Sequence, residues 1–295
     1  MITGNDADAA TAGTAMSSKP DTDDLFKSSL FKTSTTTNKT AADNATEPNV
    51  DFISIYFCYI EIKYSCVFVN ILRNINSMFT LTDISVYIFN WKKVSKNSLE
   101  LYQNIKQIID NTTIVNCDES LHLDSSIKHI QLDDLHYYGS QYEHAIKDTL
   151  AENIFCVIVG DNISNNNFKL IFDNAIKAFN TYNAGIFAPN DKRTSHTARN
   201  SEIQHNLYTV PNTDCGFLFI NPKIVVKLKN IKYGSLAKYG WGVDVITMKE
   251  STKQGLKILR DYSIETNQLD RSTNYNRIDS IKGSLDLQNE YAKLT

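Results

Sequence analysis

Residues 155–161 read Phe-Cys-Val-Ile-Val-Gly-Asp, a run of five apolar residues that ends in a glycine and a carboxylate. Such a run is typical of a strand that is covered on both faces. Comparable runs recur along the chain, and we predict six strands, over residues 85–89, 113–116, 129–132, 155–159, 185–188 and 216–220. The repeated pattern indicates an α/β fold built on a central sheet.

Helical periodicity separates several of these strands. Apolar residues recur at helical spacing over 101–109 and again over 168–179, where Ser164 and Asn165 are candidate caps. Pro222 suits the first turn of a further helix. Strands separated by helices imply right-handed crossovers, so we expect a mainly parallel central sheet flanked by helices.

The composition is that of an ordinary globular protein. The chain has 295 residues, of which 42% are hydrophobic and 21% charged, with a formal net charge of -3. This charge provides no field that would collect nucleic acid, so we expect no nucleic-acid partner and a cytoplasmic location. An odd number of scattered cysteines without a C-x-x-C pair argues against a disulfide framework, and we expect three of them to be core residues: Cys117, Cys156 and Cys215.

The first part of the chain differs from the rest. Residues 1–50 are rich in Thr, Ala, Ser, Asn and Asp, and we predict a disordered low-complexity extension. Residues 51–77 are apolar and long enough to span a bilayer, but Glu61 and Lys63 lie at their centre, which argues against a membrane anchor. Peripheral membrane association stays open. We expect the functional domain to cover 78–295 and an alternative start of translation near Met78.

Carboxylates follow several predicted strands. In open α/β sheets, ligands bind beyond the carboxyl ends of the strands, which draws attention to Asn90-Trp91, Asp118 and Asp161. Each acid could also serve only as a loop or helix cap. No G-x-G-x-x-G, Walker lysine or G-x-S-x-G motif is present, and the histidines lack zinc-ligand spacing.

A glycine-rich loop stands near the end of the pattern. Residues 240–244 read Gly-Trp-Gly-Val-Asp, an aromatic residue between two glycines followed by a carboxylate that opens a helical pattern. Glycines let the backbone approach a ligand closely, and the indole of Trp241 offers an apolar face to it. We therefore predict a binding site here, with Asp244 near a helix N-terminus.

The order of these features is similar to that of a known family. The segments that carry the likeness are 89–91, 116–119, 137–141, 159–161, 185–191, 214–217 and 240–244. Taken in this order, residues 84–277 resemble inverting glycosyltransferases of the GT-A fold, family-2-like in plan. The resemblance implies transfer of a sugar from a nucleotide-sugar donor to a hydroxyl of a glycan, a lipid-linked or a protein acceptor.

The resemblance also implies roles for individual residues. The nucleotide-sugar would be bound by Asn90, Trp91, Asp118, Tyr138, Gly139, Gln141 and Asp161. The donor sugar or the acceptor would lie against Asp191, Asp214, Cys215, Gly216, Trp241 and Gly242. Asp244 matches the catalytic base, which would deprotonate the acceptor hydroxyl.

Asp161 matches the first carboxylate of the family's D-x-D motif, which holds Mn²⁺ or Mg²⁺ against the diphosphate. The chain departs from this pattern because Ile163 replaces the second carboxylate, and no histidine follows near residues 267–269. Either Asp161 binds the cation with water and phosphate oxygens, or cationic side chains neutralise the diphosphate instead. The candidates are Lys192, Arg193, Arg199 and Arg271.

Two other classes stay open. The incomplete D-x-D motif also suits a catalytically inactive glycosyltransferase-like module that binds a sugar or a nucleotide. A methyltransferase would need a glycine-rich first loop, and residues 90–93, Asn-Trp-Lys-Lys, do not form one.

Overall fold

The computed structural model describes residues 78–164, 167–192, 197–269 and 276–294, with the backbone alone at 163 and 164. The predicted extension 1–50 and the apolar segment 51–77 lie outside the described residues, as do Asn165, Arg193 and Arg271.

One large sheet organises the described part of the chain. Its strands are β1 (Ile84–Asn90), β2 (Thr112–Asn116), β3 (His129–Gln131), β4 (Ile154–Val159), β5 (Asn162–Ser164), β6 (Ala184–Asp191), β7 (Ser201–Gln204), β8 (Leu207–Thr209), β9 (Phe217–Ile220) and β10 (Lys257–Gln268). Their order is β3-β2-β1-β4-β9-β6-β10-β8-β7, with β5 paired to β10. All six predicted strands are confirmed.

The helices cover both faces of this sheet. They are α1 (Ser95–Lys106), α2 (Tyr138–Asp148), α3 (Phe168–Tyr182), α4 (Pro222–Leu228), α5 (Tyr233–Leu236), α6 (Val243–Lys253) and α7 (Arg277–Leu294), with 3₁₀ turns at Leu81–Asp83 and Lys92–Val94. Pro222 begins α4 as predicted, behind an Asn221 cap that accepts from the Lys223 N–H. Ser164 was wrongly predicted as a helix cap: it belongs to β5, which pairs with β10 before α3 begins.

The prediction of a mainly parallel sheet was wrong. Four of the described pairings are parallel, β1–β2, β1–β4, β2–β3 and β6–β10. Five are antiparallel, β4–β9, β6–β9, β5–β10, β8–β10 and β7–β8. Strand β9 lies between β4 and β6 and is antiparallel to both. The sequence does not reveal this direction, because a strand that is buried on both faces has the same apolar pattern whether it is parallel or antiparallel.

This topology still brings several chain segments to one edge. Strands β1, β2, β4, β6 and β10 point the same way, so their carboxyl ends share an edge of the sheet. Because β9 is antiparallel, it begins at that same edge. The edge therefore collects the segments that follow these strands and the one that precedes β9.

The core consists of two apolar layers on either side of the sheet. On β1, Tyr87 and Phe89 pack into one layer with residues from α2, α4 and α6, while Val86 and Ile88 pack into the other with α1 and α3. As predicted, the three described cysteines are buried and reduced. Within the described ranges, no helix is both long and apolar enough to cross a bilayer.

Candidate functional site

Most of the predicted site residues gather at the edge described above. Asn90 and Asn116 end β1 and β2, Asp161 follows β4, Asp191 ends β6, Asp214 precedes β9, and Asp244 lies in the first turn of α6. Two backbone contacts join the middle of this row: the Gly160 N–H donates to the Phe89 carbonyl at 2.8 Å, and the Val159 N–H donates to that of Gly216 at 2.8 Å.

The ends of β1 and β2 form a polar network around Asp118. The Asn90 amide donates to Asn116 Oδ1 at 2.6 Å, and Ser95 Oγ donates to Asp118 Oδ2 at 2.8 Å. Ser120 donates to Asp118 Oδ1 from its hydroxyl, at 2.5 Å, and from its N–H, at 3.0 Å. Burial alone would raise the pKa of Asp118, but the bonds from Ser120 and Ser95 outweigh it and hold that pKa below its usual value. Asp118 is therefore a fixed carboxylate at the edge.

Helix α2 closes this corner. The Gln141 amide donates to the carbonyls of Asn90 and Val115, both at 2.9 Å, and so ties the ends of β1 and β2 together. Gly139 lets α2 lie close to the end of α5, because a Cβ on Gly139 would be only 2.2 Å from the Ala237 carbonyl oxygen. Trp91 is half-buried, and its carbonyl accepts from the Val94 N–H in the turn that leads into α1.

Asp161 is buried and faces an amide. Gln268 at the end of β10 donates its Nε2 to Asp161 Oδ2 at 2.9 Å, and the Leu269 N–H donates to the Asp161 carbonyl at 2.8 Å. Within the described residues, no group of three or more His, Cys, Asp or Glu side chains is spaced to hold a metal ion. As it is oriented, the Gln268 amide presents an N–H to Asp161, at a position where a divalent cation would need a ligand oxygen.

The glycine-rich loop is anchored by Tyr138. Gly240 has φ +83°, and a Cβ on it would lie 2.3 Å from the Tyr138 ring. The Tyr138 hydroxyl donates to the Cys215 carbonyl at 2.9 Å, and its ring packs edge-on against Phe89 at 5.1 Å. One tyrosine thus connects the loop to β1 and to the segment before β9. Trp241 lies half-buried between Gly240 and Gly242, which caps α6 with φ +91°.

Two carboxylates near this loop influence each other electrostatically. Asp214 Oδ1 accepts from the Gly216 N–H at 2.7 Å. Asp244, the second residue of α6, is partly buried: burial raises its pKa, the Val245 N–H opposes that rise, and the negative charge of Asp214 adds to it. Cys215 and Gly216 are buried between Asp214 and β9. Asp244 is therefore a carboxylate with increased basicity, mainly because it is partly buried.

The structure adds a residue that the sequence analysis missed. Arg260, in the middle of β10, is fully buried and donates to Asn190 Oδ1 at 3.0 Å and to the Asp191 carbonyl. Its guanidinium lies 5.1 Å from the Tyr262 ring centroid. Burial lowers the pKa of Arg260, while Tyr262, Asp191 and Asp214 act in the opposite direction. The sequence signal that could have revealed it is the apolar pair Ile258-Leu259, which directly precedes the arginine.

Two of the cations proposed for the diphosphate lie within the described residues, and both have partners. Lys192 forms an ion pair with Glu265 at 2.7 Å, and the Arg199 guanidinium lies 4.0 Å from the Tyr262 ring centroid. The structure thus brings Asn90, Asp118 and Gln141, which were predicted to bind the nucleotide, to the edge of the sheet from which Asp214 also extends. It gives Asp161 an amide neighbour instead of a second carboxylate.

The comparisons with known proteins concern the fold. No protein-family model and no curated protein matches this chain. Among solved structures, the crystal structure of GalNAc-T7 with UDP, GalNAc and Mn²⁺ matches with a TM-score of 0.53 and 10% identity, covering 70% of this chain and 49% of that one. The inositol-1-phosphate CTP transferase from T. maritima overlaps with a TM-score of 0.40 and 9% identity, over 70% and 97%.

The likeness to GalNAc-T7 shows a nucleotide-sugar-transferase-like fold of the GT-A kind, as the sequence resemblance implied. The chain spans about half the length of that structure, and the likeness at this identity concerns the fold alone.

Proposed function

We propose that this protein transfers a sugar, with inversion, from a nucleotide-sugar donor to an acceptor hydroxyl, and that Asp244 is the general base. The observation that carries the proposal is the position of Asp244 at the start of α6, directly behind the glycine-rich loop. Tyr138 ties that loop to the edge that also holds the Asn90–Asp118 network. A donor-binding corner and a base on one edge are what such a transfer requires.

In this proposal the nucleoside lies against the ends of β1 and β2. Asp118 already accepts from Ser95 and Ser120, but a carboxylate has about four lone-pair sites, so it can also accept from a ribose or base donor. Gln141 keeps the two strand ends in register, and Trp91 follows β1 directly. Asn90, Tyr138 and Gly139 shape the same corner.

The chemical step uses Asp244 as the proton acceptor. Asp244 takes the proton of the acceptor hydroxyl, whose oxygen bonds to the anomeric carbon while the bond from that carbon to the diphosphate oxygen breaks. Attack from the face opposite the leaving group inverts the configuration. Asp214, Asp191 and Gly216 would border the donor sugar, and Trp241 would stack on a sugar ring. Cationic side chains such as Arg199 would neutralise the departing diphosphate.

The test compares Asp244→Asn with Asp279→Asn, which changes an exposed first-turn aspartate of α7. Both variants and the parent chain are incubated with a panel of nucleotide-sugars and acceptors, with and without EDTA, and released nucleoside diphosphate is measured. Loss of a general base should lower turnover by about 10²- to 10⁴-fold in Asp244→Asn alone. Near-normal turnover by that variant would refute the assignment.

A binding module without catalysis is the second candidate. The bond from the Gln268 amide to Asp161 favours this candidate, because the resemblance implies that Asp161 binds a cation there. Nucleotide-sugars that raise the melting temperature without release of nucleoside diphosphate, for every donor and acceptor in the panel, would decide for this candidate.

A further inference from the structure

A second surface adjoins the glycine-rich loop where the loop meets the start of α2. Tyr239 directly precedes Gly240, and its ring packs against that of Tyr137 with centroids 5.0 Å apart. The ammonium group of Lys238 lies 4.5 Å from the Tyr137 ring centroid. We refer to Tyr137, Lys238 and Tyr239 as the tyrosine patch. Tyr137 remains 42% exposed, so these contacts leave much of it accessible to a ligand.

The tyrosine patch continues into a pocket. A cavity of about 410 Å³ lies between α2 and α5, and its lining includes His136, Ser140, His144, Lys232 and Ser235. His136 directly precedes Tyr137 in the chain, so patch and pocket are contiguous. The pocket presents hydroxyl, imidazole and ammonium groups and the carboxylate of Glu143, so it can both donate to and accept from the hydroxyls of a ligand.

The same two elements hold both features in place. The Gly139 N–H of α2 donates to the Lys238 carbonyl at 3.0 Å, and the Gly234 N–H of α5 donates to Glu143 Oε2 at 2.9 Å. Gly234 also allows close packing, because a Cβ there would lie 2.5 Å from the Ser140 hydroxyl. The patch and the pocket are therefore parts of one fixed surface.

We infer that this surface is an acceptor subsite that binds further rings of a glycan of two or more sugars, whose terminal hydroxyl points towards Asp244. This inference rests on the proposed function. A sugar ring offers an apolar C–H face and a rim of hydroxyls, which match an exposed aromatic patch beside polar groups. Because the patch lies next to Trp241, one ring can lie at the loop and the following ones at Tyr239 and Tyr137.

The experiment applies the full-length protein, without any nucleotide-sugar, to an array of defined glycans that extends from monosaccharides to long oligosaccharides. The test variant combines Tyr137→Ala and Tyr239→Ala. The matched control is Tyr182→Ala, which removes a tyrosine on α3 that also has a lysine ammonium, of Lys177, 6.0 Å from its ring centroid. Tyr137→Phe keeps the ring and should keep binding, and thermal melting confirms that each variant is folded.

We expect at least one oligosaccharide to bind, more tightly than its terminal monosaccharide, and we expect the double variant to bind it at least about fivefold more weakly. Tyr182→Ala should bind normally. The inference is overturned if no oligosaccharide binds, if a monosaccharide binds as tightly, or if the double variant binds like the control. Since the array uses neither the donor nor Asp244, its failure is distinguishable from failure of nucleoside diphosphate release, which is measured on the same preparations.

Discussion

Replacing Gly240 by alanine tests whether the glycine-rich loop is held by Tyr138. Gly240 has φ +83°, a region in which an L-residue costs about 1–2 kcal/mol, and the new Cβ would lie 2.3 Å from the Tyr138 ring. Relieving that overlap requires the ring or the loop to move, which in packed interiors costs about 1–3 kcal/mol more. We therefore expect Gly240→Ala to lower the free energy of unfolding by about 2–5 kcal/mol.

Gly255→Ala is the matched control for the backbone cost. Gly255 has φ +67°, but a Cβ there would meet nothing within 4 Å, so only the cost of about 1–2 kcal/mol applies. The assay is urea unfolding of both variants and the parent chain, together with nucleoside diphosphate release. Because Gly240→Ala displaces the loop that carries Trp241 and Asp244, turnover should fall in this variant and not in Gly255→Ala.

A double variant identifies the source of the difference. Tyr138→Ala removes the ring that Gly240→Ala would strike, so the combined variant should lose less stability than the sum of the two single changes. The reasoning is refuted if Gly240→Ala is no more destabilising than Gly255→Ala. It is also refuted if the losses of stability caused by Gly240→Ala and Tyr138→Ala simply add in the double variant, because the loop is then not held by the Tyr138 ring.

Three further predictions concern the carboxylates and the strand clamp. Asp214→Asn removes a negative charge that helps to raise the pKa of Asp244. Since a base acts when deprotonated, the acidic limb of the kcat/KM profile should move to lower pH. An unmoved limb would contradict an electrostatic effect of Asp214 on Asp244. Because the folded-state pKa of Asp244 is raised, its ionisation at neutral pH opposes folding, and Asp244→Asn should therefore raise Tm at pH 7. This advantage should shrink as the pH falls through the folded-state pKa and be absent below the unfolded-state pKa, which thermal melts at several pH values can show. Gln141→Leu removes two buried hydrogen bonds, to the carbonyls of Asn90 and Val115, and should lower the free energy of unfolding by about 1–3 kcal/mol, as measured by urea unfolding. If the same change at an exposed glutamine lowered stability as much, Gln141 would not hold the two strand ends together.

The sequence by itself determined six of the ten described strands, because five apolar residues such as 155–159 require burial on both faces whatever their partners are. It also determined α1, α3 and the start of α4, since 3.6-residue periodicity and a proline at position 222 are local signals. The first-turn position of Asp244 follows likewise from the two glycines and the apolar pattern behind them.

Only the tertiary structure decided which segments meet. The direction of β9 is not encoded in its apolar residues, yet it brings Asp214 to the edge that holds Asp244. Arg260 bonds to Asn190, which is 70 positions away in the chain, and Gln268 bonds to Asp161, which is 107 positions away. Such contacts depend on strand pairing across the sheet, and no local periodicity records the partner of a side chain. The candidate residues were therefore readable from the sequence, while the electrostatic environment that makes Asp244 more basic arises only on folding.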